Sequence, residues 1–338
     1  MDKIKFGIIG CGNVSQTYLY TLNKNPNSEV VAVADPNLQK TEQKVAPFSK
    51  IKIYQDYLNL LDNEELDAVV ISTPHYLHRS QAKVCAKKGL DILCEKPLAT
   101  NLKDTEKILE DCKRIKLGVM LQRRFYPNSH STKECIERGL LGKIQKVSLD
   151  FTCNKTPEFY DTWRGKKISG GGVLLSQALH RIDRLVYFFG KPTHVQGTIK
   201  TIRDYIEVED YAKGEIYFEN GIKVSLEANN TSGDPKTISI INIVGDKGEI
   251  RLLDDKTPIW DVNYQKPFEV DINNIPSDFR PPYYGPCHEM LIDDFVNAVK
   301  LNKSPLVTGK DALQAMKIVF GFYKSAENGQ RKINLDNL

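Results

Sequence analysis

The sequence predicts a two-domain α/β protein. Residues 1–122 form an N-terminal doubly wound parallel sheet, and 123–338 an α+β domain built on a large, mostly antiparallel open sheet. Three observations carry this. Short apolar runs alternate with helix-patterned segments through residue 121, as in a parallel sheet covered on both faces. Beyond that point strand-like segments follow one another closely, the habit of antiparallel sheets. The 338 residues also exceed what one hydrophobic core usually takes.

In the first part Ile4–Ile9, Val30–Ala34, Ala68–Ile71, Asp91–Cys94 and Leu117–Leu121 read as strands, with Ile51–Tyr54 a weaker candidate. Helical patterns lie between them at 13–24, 37–46, 76–88 and 101–114. Ala68-Val69-Val70-Ile71 shows no polar alternation, as a strand buried on both faces should. In the second part a helix is expected at Pro127–Arg138, ended by Gly139. Strands are expected at 143–153, 193–201, 208–219, 222–229, 237–244 and 248–253. Asn220-Gly221 between two apolar runs is a hairpin signal, and Asp246-Lys247-Gly248 a further turn. A helix over Gly172–Phe189 interrupts the strands, and helices at 287–301 and 309–326 close the chain. Gly233-Asp234-Pro235 and Pro281-Pro282 mark exposed turns.

Composition narrows the function classes. With 41% hydrophobic and 27% charged residues the chain is neither disordered nor fibrous. No apolar run approaches the roughly 18 residues of a membrane span. Met1-Asp2-Lys3 leads straight into a strand, so no secretory leader is expected. The net charge of +4 is spread evenly: residues 1–121 carry 17 basic and 15 acidic side chains, the rest 30 and 28. Without a basic stripe, nucleic acid is a poor candidate partner. Seven cysteines, with no CxxC pair, fit a reduced cytoplasmic protein better than a disulfide scaffold or a zinc site.

The chemistry begins at Gly7-Ile8-Ile9-Gly10-Cys11-Gly12-Asn13-Val14-Ser15, where the first strand passes into the first helix. In a GxGxx(G/A) turn the first glycine permits the tight bend, and the second lets backbone approach a pyrophosphate closely. Gly10 and Gly12 supply these, Asn13 and Val14 open the helix, and Ser15 takes the third, small position. A helix N-terminus there offers N–H groups and a partial positive charge to an anion. Asp35 ends the second strand 20 residues beyond Ser15, where a carboxylate bonds the ribose hydroxyls of NAD. The same Asp could instead cap the following helix. Pro36-Asn37 brings no Arg for a 2′-phosphate, which places NAD ahead of NADP.

Ligands of open α/β sheets bind beyond the carboxyl ends of the strands. Here those ends read Ser72-Thr73-Pro74-His75, Glu95-Lys96-Pro97 and Gln122-Arg123-Arg124. A Lys beyond a buried strand can donate to a substrate oxygen, and its pKa moves readily with burial. A surface turn is the alternative. In the second part Gly170-Gly171-Gly172 precedes a helix on which Ser176, His180 and Asp183, spaced i, i+4, i+7, share one face. Three glycines permit close approach of a ligand or another chain. His180 is either a catalyst or a satisfied structural His. No second His stands at metal-ligand spacing, so no metal is expected.

In this order the motifs resemble the glucose–fructose oxidoreductase / inositol dehydrogenase / MocA family over nearly the whole chain. The resemblance rests on Gly10-x-Gly12, Asp35, Thr73-Pro74-x-x-x-His78, Glu95-Lys96-Pro97 and Gln122-x-Arg124-Phe125. To these it adds the triple-glycine helix with His180 and Asp183, and the tail segments Gly285–Phe295 and Val307–Ala312. It implies a Rossmann domain, a second domain whose open sheet commonly mediates oligomers (a homodimer or homotetramer), and reversible hydride transfer between a sugar or polyol carbon and nicotinamide. Lys96 would hydrogen-bond the reacting oxygen and His180 would be the general base. Gly10, Gly12, Asn13, Val14, Asp35, Thr73, His78, Glu95, Lys96 and Gln122 would bind the cofactor. Arg124, Arg164, Ser176, Gln177 and Asp183 would face the sugar.

Inositol-dehydrogenase-like members carry Asp where this chain has Ser176. Asp161-Thr162-Trp163-Arg164-Gly165 and Ser176-Gln177-x-x-His180 look more like UDP-N-acetylglucosaminuronate 3-dehydrogenases. Arg123, Arg124 or Arg164 could pair with a carboxylate or diphosphate, or equally with the cofactor or an interface. The leading expectation is an NAD-dependent dehydrogenase acting at C3 of a sugar, on a UDP-linked uronic acid. A dehydrogenase of a free sugar or inositol and a non-catalytic NAD(H) sensor are the alternatives. A sensor has no need of the Lys96/His180 pair.

Overall fold

The computed structural model describes residues 3–48, 50–233, 237–253, 259–261 and 285–338. The chain divides into two compact units, Met1–Gln122 with Pro276–Ala312, and Arg123–Ile275 with Leu313–Leu338.

The first unit is a six-stranded parallel sheet flanked by helices. Its elements are β1 Ile4–Ile9, α1 Ser15–Lys24, β2 Ser28–Ala34, α2 Leu38–Val45, β3 Lys52–Tyr54, α3 Tyr57–Asn63 and β4 Ala68–Ile71. There follow α4 His78–Lys87, β5 Asp91–Cys94, α5 Leu102–Asp111 and β6 Leu117–Val119. The strand order β3-β2-β1-β4-β5-β6 reverses between β1 and β4. That reversal is the switch point at which doubly wound sheets open a crevice. All four residues of β4 have no solvent exposure, matching their unbroken apolar pattern.

α3 was not expected. Its seven residues are too few to show a helical period, yet Asp56 caps it by accepting the Leu58 N–H at 2.7 Å, and Leu60 and Leu61 bury its inner side. β6 stops at Val119, two residues early. The Leu121 N–H turns back to Val119 O at 2.7 Å, and a 3₁₀ turn takes over at Gln122–Phe125.

In the second unit α6 Pro127–Glu137 leads to β7 Ile144–Thr152 and the short α7 Pro157–Tyr160. A π-helical segment, Val173–Ala178, then runs into α8 Leu179–Phe189. The remaining strands are β8 Pro192–Lys200, β9 Tyr211–Phe218, β10 Lys223–Asn229, β11 Ile238–Gly245, β12 Glu249–Leu253 and β13 Ile259–Asp261. Two helices, α9 Pro286–Lys300 and α10 Gly309–Glu327, and the short β14 Ile333–Asn334 complete the chain.

Among the described residues the second unit has eight strands, in the order β13-β12-β11-β7-β10-β9-β8-β14. Every pair is antiparallel except β7 with β10. β7 buries Val147, Leu149 and Phe151 and exposes Asp150 between them, the alternation of a sheet with one packed face. The Asn220-Gly221 hairpin is present: Gly221 takes φ +83°, and Phe218 N–H bonds Ile222 O at 2.9 Å. β9 starts at Tyr211 rather than 208, because Asp210 is committed to the preceding loop, where its carboxylate accepts the Ile202 and Arg203 N–H groups. Of the expected surface turns, Asp234-Pro235 and Pro281-Pro282 lie outside the described residues.

One boundary differs from the division at 122/123. α9 belongs with the first unit, although it follows most of the second in sequence. Its apolar side packs there: Phe295 meets Phe6 of β1 with ring centroids 6.3 Å apart, and Asn25 Nδ2 donates to Asp293 Oδ1 at 2.6 Å. A side chain at Gly118 of β6 would strike the Phe295 ring at 2.7 Å. An amphipathic pattern shows that a helix has a buried face; it does not name the sheet that buries it.

Candidate active site

The glycine turn sits at the switch point of the first unit. Gly10 takes φ +96°, and a Cβ there would meet the Ser72 carbonyl at 2.8 Å, so its glycine is required by the neighbouring strand end. Ser72 ties the two loops, with N–H to Ile9 O and Oγ to Gly10 O, both at 2.8 Å. Gly12 is different: a Cβ on it would meet nothing within 4 Å. No atom of the described residues demands glycine there, and the open side is what close approach of a pyrophosphate needs. Gly12 and Asn13 are exposed, Val14 is half-buried, and Ser15 is fully buried with its Oγ on Gly12 O at 2.7 Å.

Asp35 does not cap α2. Asn37 does so, its side chain accepting the Lys40 N–H at 3.0 Å. The Asp35 carboxylate instead takes the Cys11 N–H at 2.7 Å and the Asn37 N–H at 2.8 Å, which fixes it beside the glycine turn.

At the other strand ends, Glu95 is half-buried, accepts the Tyr18 hydroxyl at 2.6 Å and receives the Lys96 N–H at 3.2 Å. Burial pushes its carboxyl above the usual range, against the Tyr18 bond and the Lys96 charge. Lys96 is half-buried, and its bond to Pro97 is cis. Thr73 Oγ1 donates to Gln81 Oε1 at 2.6 Å.

His78 departs from its expected role as a cofactor ligand. It has no exposure, and its two ring nitrogens face Pro97 O and Thr73 O at 2.9 Å each. It therefore braces the Thr73 loop against the Lys96-Pro97 loop from behind. Burial holds its pKa below the ordinary histidine value, opposed by those carbonyls. Gln122 is 7% exposed, and its Oε1 is buried with no hydrogen-bond partner among the described residues. An orphaned acceptor of that kind is uncommon inside proteins and suits the amide of a bound ligand. The open side of Gly12, the pinned Asp35 and this acceptor together fit a nicotinamide dinucleotide.

In the second unit two of the three glycines serve the protein itself. A Cβ on Gly171 would collide with Arg164 O, and one on Gly172, at φ +100°, with the Glu209 carboxylate. The space expected for a ligand is thus filled by the chain's own groups. The segment that follows, Val173–Ala178, is π-helical, so Ser176 lies on a wider turn than the α-helical positions beyond it. Ser176 is buried and accepts Gln177 Nε2 at 2.9 Å, and His180, in the first turn of α8, is half-buried. π segments often mark functional positions.

Two residues expected to face substrate instead pair with each other. Arg124 donates from Nε to Asp183 Oδ2 at 2.9 Å and from Nη2 to Oδ1 at 2.7 Å; Arg124 is 4% exposed and Asp183 not at all. Together they form a buried, two-pronged ion pair. Arg164 is half-buried, with its guanidinium against the rings of Trp163 (4.6 Å) and Phe159 (5.2 Å).

A residue near this site that the sequence reading does not single out is Glu209. Its carbonyl accepts the Val173 N–H and its carboxylate the Leu174 N–H, both at 2.9 Å, while Tyr323 of α10 donates its hydroxyl at 3.0 Å. Glu209 thereby satisfies N–H groups at the start of the helix that carries His180. Its single sequence signal is an acidic Glu209-Asp210 pair at a strand entry. Burial raises its carboxyl pKa to about 7, with the Asp210 charge adding and the hydrogen bonds opposing.

A pKa above the unfolded value means that ionisation costs folding energy. The loss grows as pH rises from about 4.5 to about 7 and then levels, at about 3 kcal/mol. Glu209→Gln keeps the acceptor without the charge. Its thermal midpoint relative to the parent should therefore rise between pH 5 and pH 8. A pH-independent difference would contradict the assignment.

Among the described residues no cluster of His, Cys, Asp or Glu could hold a metal ion, and no helix is long and apolar enough to cross a membrane. All seven cysteines are free and buried.

The fold and its sites thus define a two-domain nicotinamide-dinucleotide oxidoreductase. The family comparisons agree: the oxidoreductase-family model for an NAD-binding Rossmann fold matches residues 4–123, and that for its C-terminal alpha/beta domain matches residues 133–335. The chain belongs to the Gfo/Idh/MocA oxidoreductase family of NAD(P)-dependent dehydrogenases, which includes enzymes acting on sugars. It is similar to the WlbA dehydrogenase of Bordetella pertussis, solved with NADH and UDP-GlcNAcA, at 26% identity and TM-score 0.89 over 98% of each chain. D-xylose 1-dehydrogenase (NADP(+)) 2 of Haloferax volcanii is 22% identical over 96% of this chain and 98% of its own. D-apiose dehydrogenase of Paraburkholderia graminis is 22% identical over 100% and 91%.

Proposed function

We propose that this protein is an NAD-dependent dehydrogenase that oxidises the C3 hydroxyl of a UDP-linked uronic sugar. The observation that carries the substrate class is the full-length likeness to WlbA, solved with NADH and UDP-GlcNAcA. The Trp163-Arg164 segment and Ser176-Gln177-x-x-His180 support it.

Asp35 would hold the adenosine ribose, the Gly10–Val14 turn the pyrophosphate, and Thr73, Glu95 and Gln122 the nicotinamide end. Bound NAD supplies the hydride acceptor. Lys96 donates a hydrogen bond to the sugar oxygen and holds it in place. His180 removes the hydroxyl proton while the carbon loses hydride with its electron pair, and the C–O bond becomes a carbonyl. Arg164 meets the anionic part of the substrate, held for that by its aromatic neighbours.

Oxidation of a free sugar is the second reading, favoured by the D-xylose and D-apiose dehydrogenases among the relatives. The test is to supply NAD with UDP-N-acetylglucosaminuronate, D-xylose, D-apiose and inositol separately, following reduced cofactor by absorbance. A single-turnover run with an added 2-oxo acid covers retention of bound NADH. Reduction with the UDP sugar is expected. Turnover on a free sugar or inositol alone would replace the nucleotide-sugar reading.

A further inference from the structure

The cofactor site has a cation that the glycine fingerprint does not include. Lys44 lies in the last turn of α2, and its half-buried side chain reaches back to the glycine turn. Its Nζ donates to Cys11 O at 2.7 Å and to Gly12 O at 2.5 Å. An ammonium has three donors, and these carbonyls take two. No carboxylate neutralises it among the described residues, so the positive charge stays at the turn.

The Asp35 carboxylate holds the other side of the same residue, through the Cys11 N–H at 2.7 Å. Acid and cation thus grip opposite polar atoms of one residue, which keeps them no more than about 9 Å apart. That separation is comparable to the Debye length at physiological salt, about 8 Å, so each charge acts on what binds beside the other. Lys40 lies four residues earlier on α2, one turn nearer Asp35 and on the same side of the helix, and is exposed.

Resting on the reading of Asp35 as the ribose ligand, we propose that Lys44 is a cofactor-selecting residue. Its charge, helped by Lys40, offsets Asp35 and lets the turn accept a 2′-phosphorylated dinucleotide as well as NAD. A 2′-phosphate would lie beside Asp35 and be repelled by it. Pro36-Asn37 supplies no Arg after the strand to counter this. Lys44 supplies the missing charge from the far end of the helix. Its third N–H is directed by two fixed carbonyl bonds, which lowers the entropy lost in making a further contact.

The competing explanation is a clamp: Lys44 only braces the turn. The two differ in what its removal does to the two cofactors. NADH and NADPH binding would be measured by calorimetry without any sugar, for the parent, Lys44→Met and Lys44→Arg. The parent should bind both, NADH more tightly. Lys44→Met should weaken NADPH by about tenfold or more and NADH by less than about threefold, while Lys44→Arg keeps both. Raising the salt should narrow the difference between parent and Lys44→Met for NADPH.

Equal weakening of both cofactors by Lys44→Met, or no weakening of either, would overturn the proposal in favour of a clamp or a bystander. A parent that binds NADH but not NADPH would also overturn it. A parent that binds neither would instead strike the dinucleotide site itself.

Discussion

His180→Asn and Lys96→Met should each lower sugar oxidation by about a hundredfold or more, with NAD binding kept within a few fold. Asn has nearly the reach of His but no group that takes up a proton near neutral pH, so the hydroxyl proton has no acceptor. Met has the length of Lys without its donor or charge. The backbone that presents Lys96 is held by other groups: Glu95 receives the Lys96 N–H and the Tyr18 hydroxyl, and His78 braces Pro97. Loss of the ammonium therefore leaves the turn in place. Calorimetric NAD affinity separates chemistry from binding. A His180→Asn enzyme near parental turnover would show that another group is the base.

Arg124→Met should cost about 3–5 kcal/mol of stability, a fall in thermal midpoint on the order of 10 °C. It takes the cation and both of its hydrogen bonds away from the Asp183 carboxylate, which has no exposure. The methionine stem can keep the packing against Tyr187, so the loss reports charge rather than volume. Asp183→Asn in the same background should recover part of it, because the pair acts as a unit. A substrate-binding Arg124 gives the opposite pattern, with KM rising sharply and the thermal midpoint unchanged. That outcome would restore the role first expected for it.

Much of this fold is legible in sequence because its signals are local. Apolar runs, Asn220-Gly221 and the Gly10-x-Gly12 turn each depend on neighbours in the chain, and the structure places them accordingly. The strand-end rule likewise brings Thr73 and Glu95-Lys96 to the carboxyl edge of the first sheet. What sequence hides is pairing at a distance. Arg124 and Asp183 stand 59 residues apart, and each looks like a ligand-binding group until its partner is seen. His78 has the same character, since its carbonyl partners lie on two loops. Glu209 and Tyr323, 114 residues apart, meet only when α10 packs in the second unit. The π segment is invisible for another reason: its residues have ordinary helical preferences, and its first N–H groups are taken by Glu209, 35 residues further along from Leu174.

The most direct test of hydride transfer from the sugar is isotopic. UDP-N-acetylglucosaminuronate deuterated at C3 would be mixed with the enzyme and NAD, quenched after a single turnover, and the cofactor examined by mass spectrometry. Reduced cofactor carrying the deuterium is the predicted result, and it should disappear with His180→Asn. Reduced cofactor without deuterium would contradict transfer from C3, and an unchanged sugar with no reduced cofactor would contradict its being the substrate.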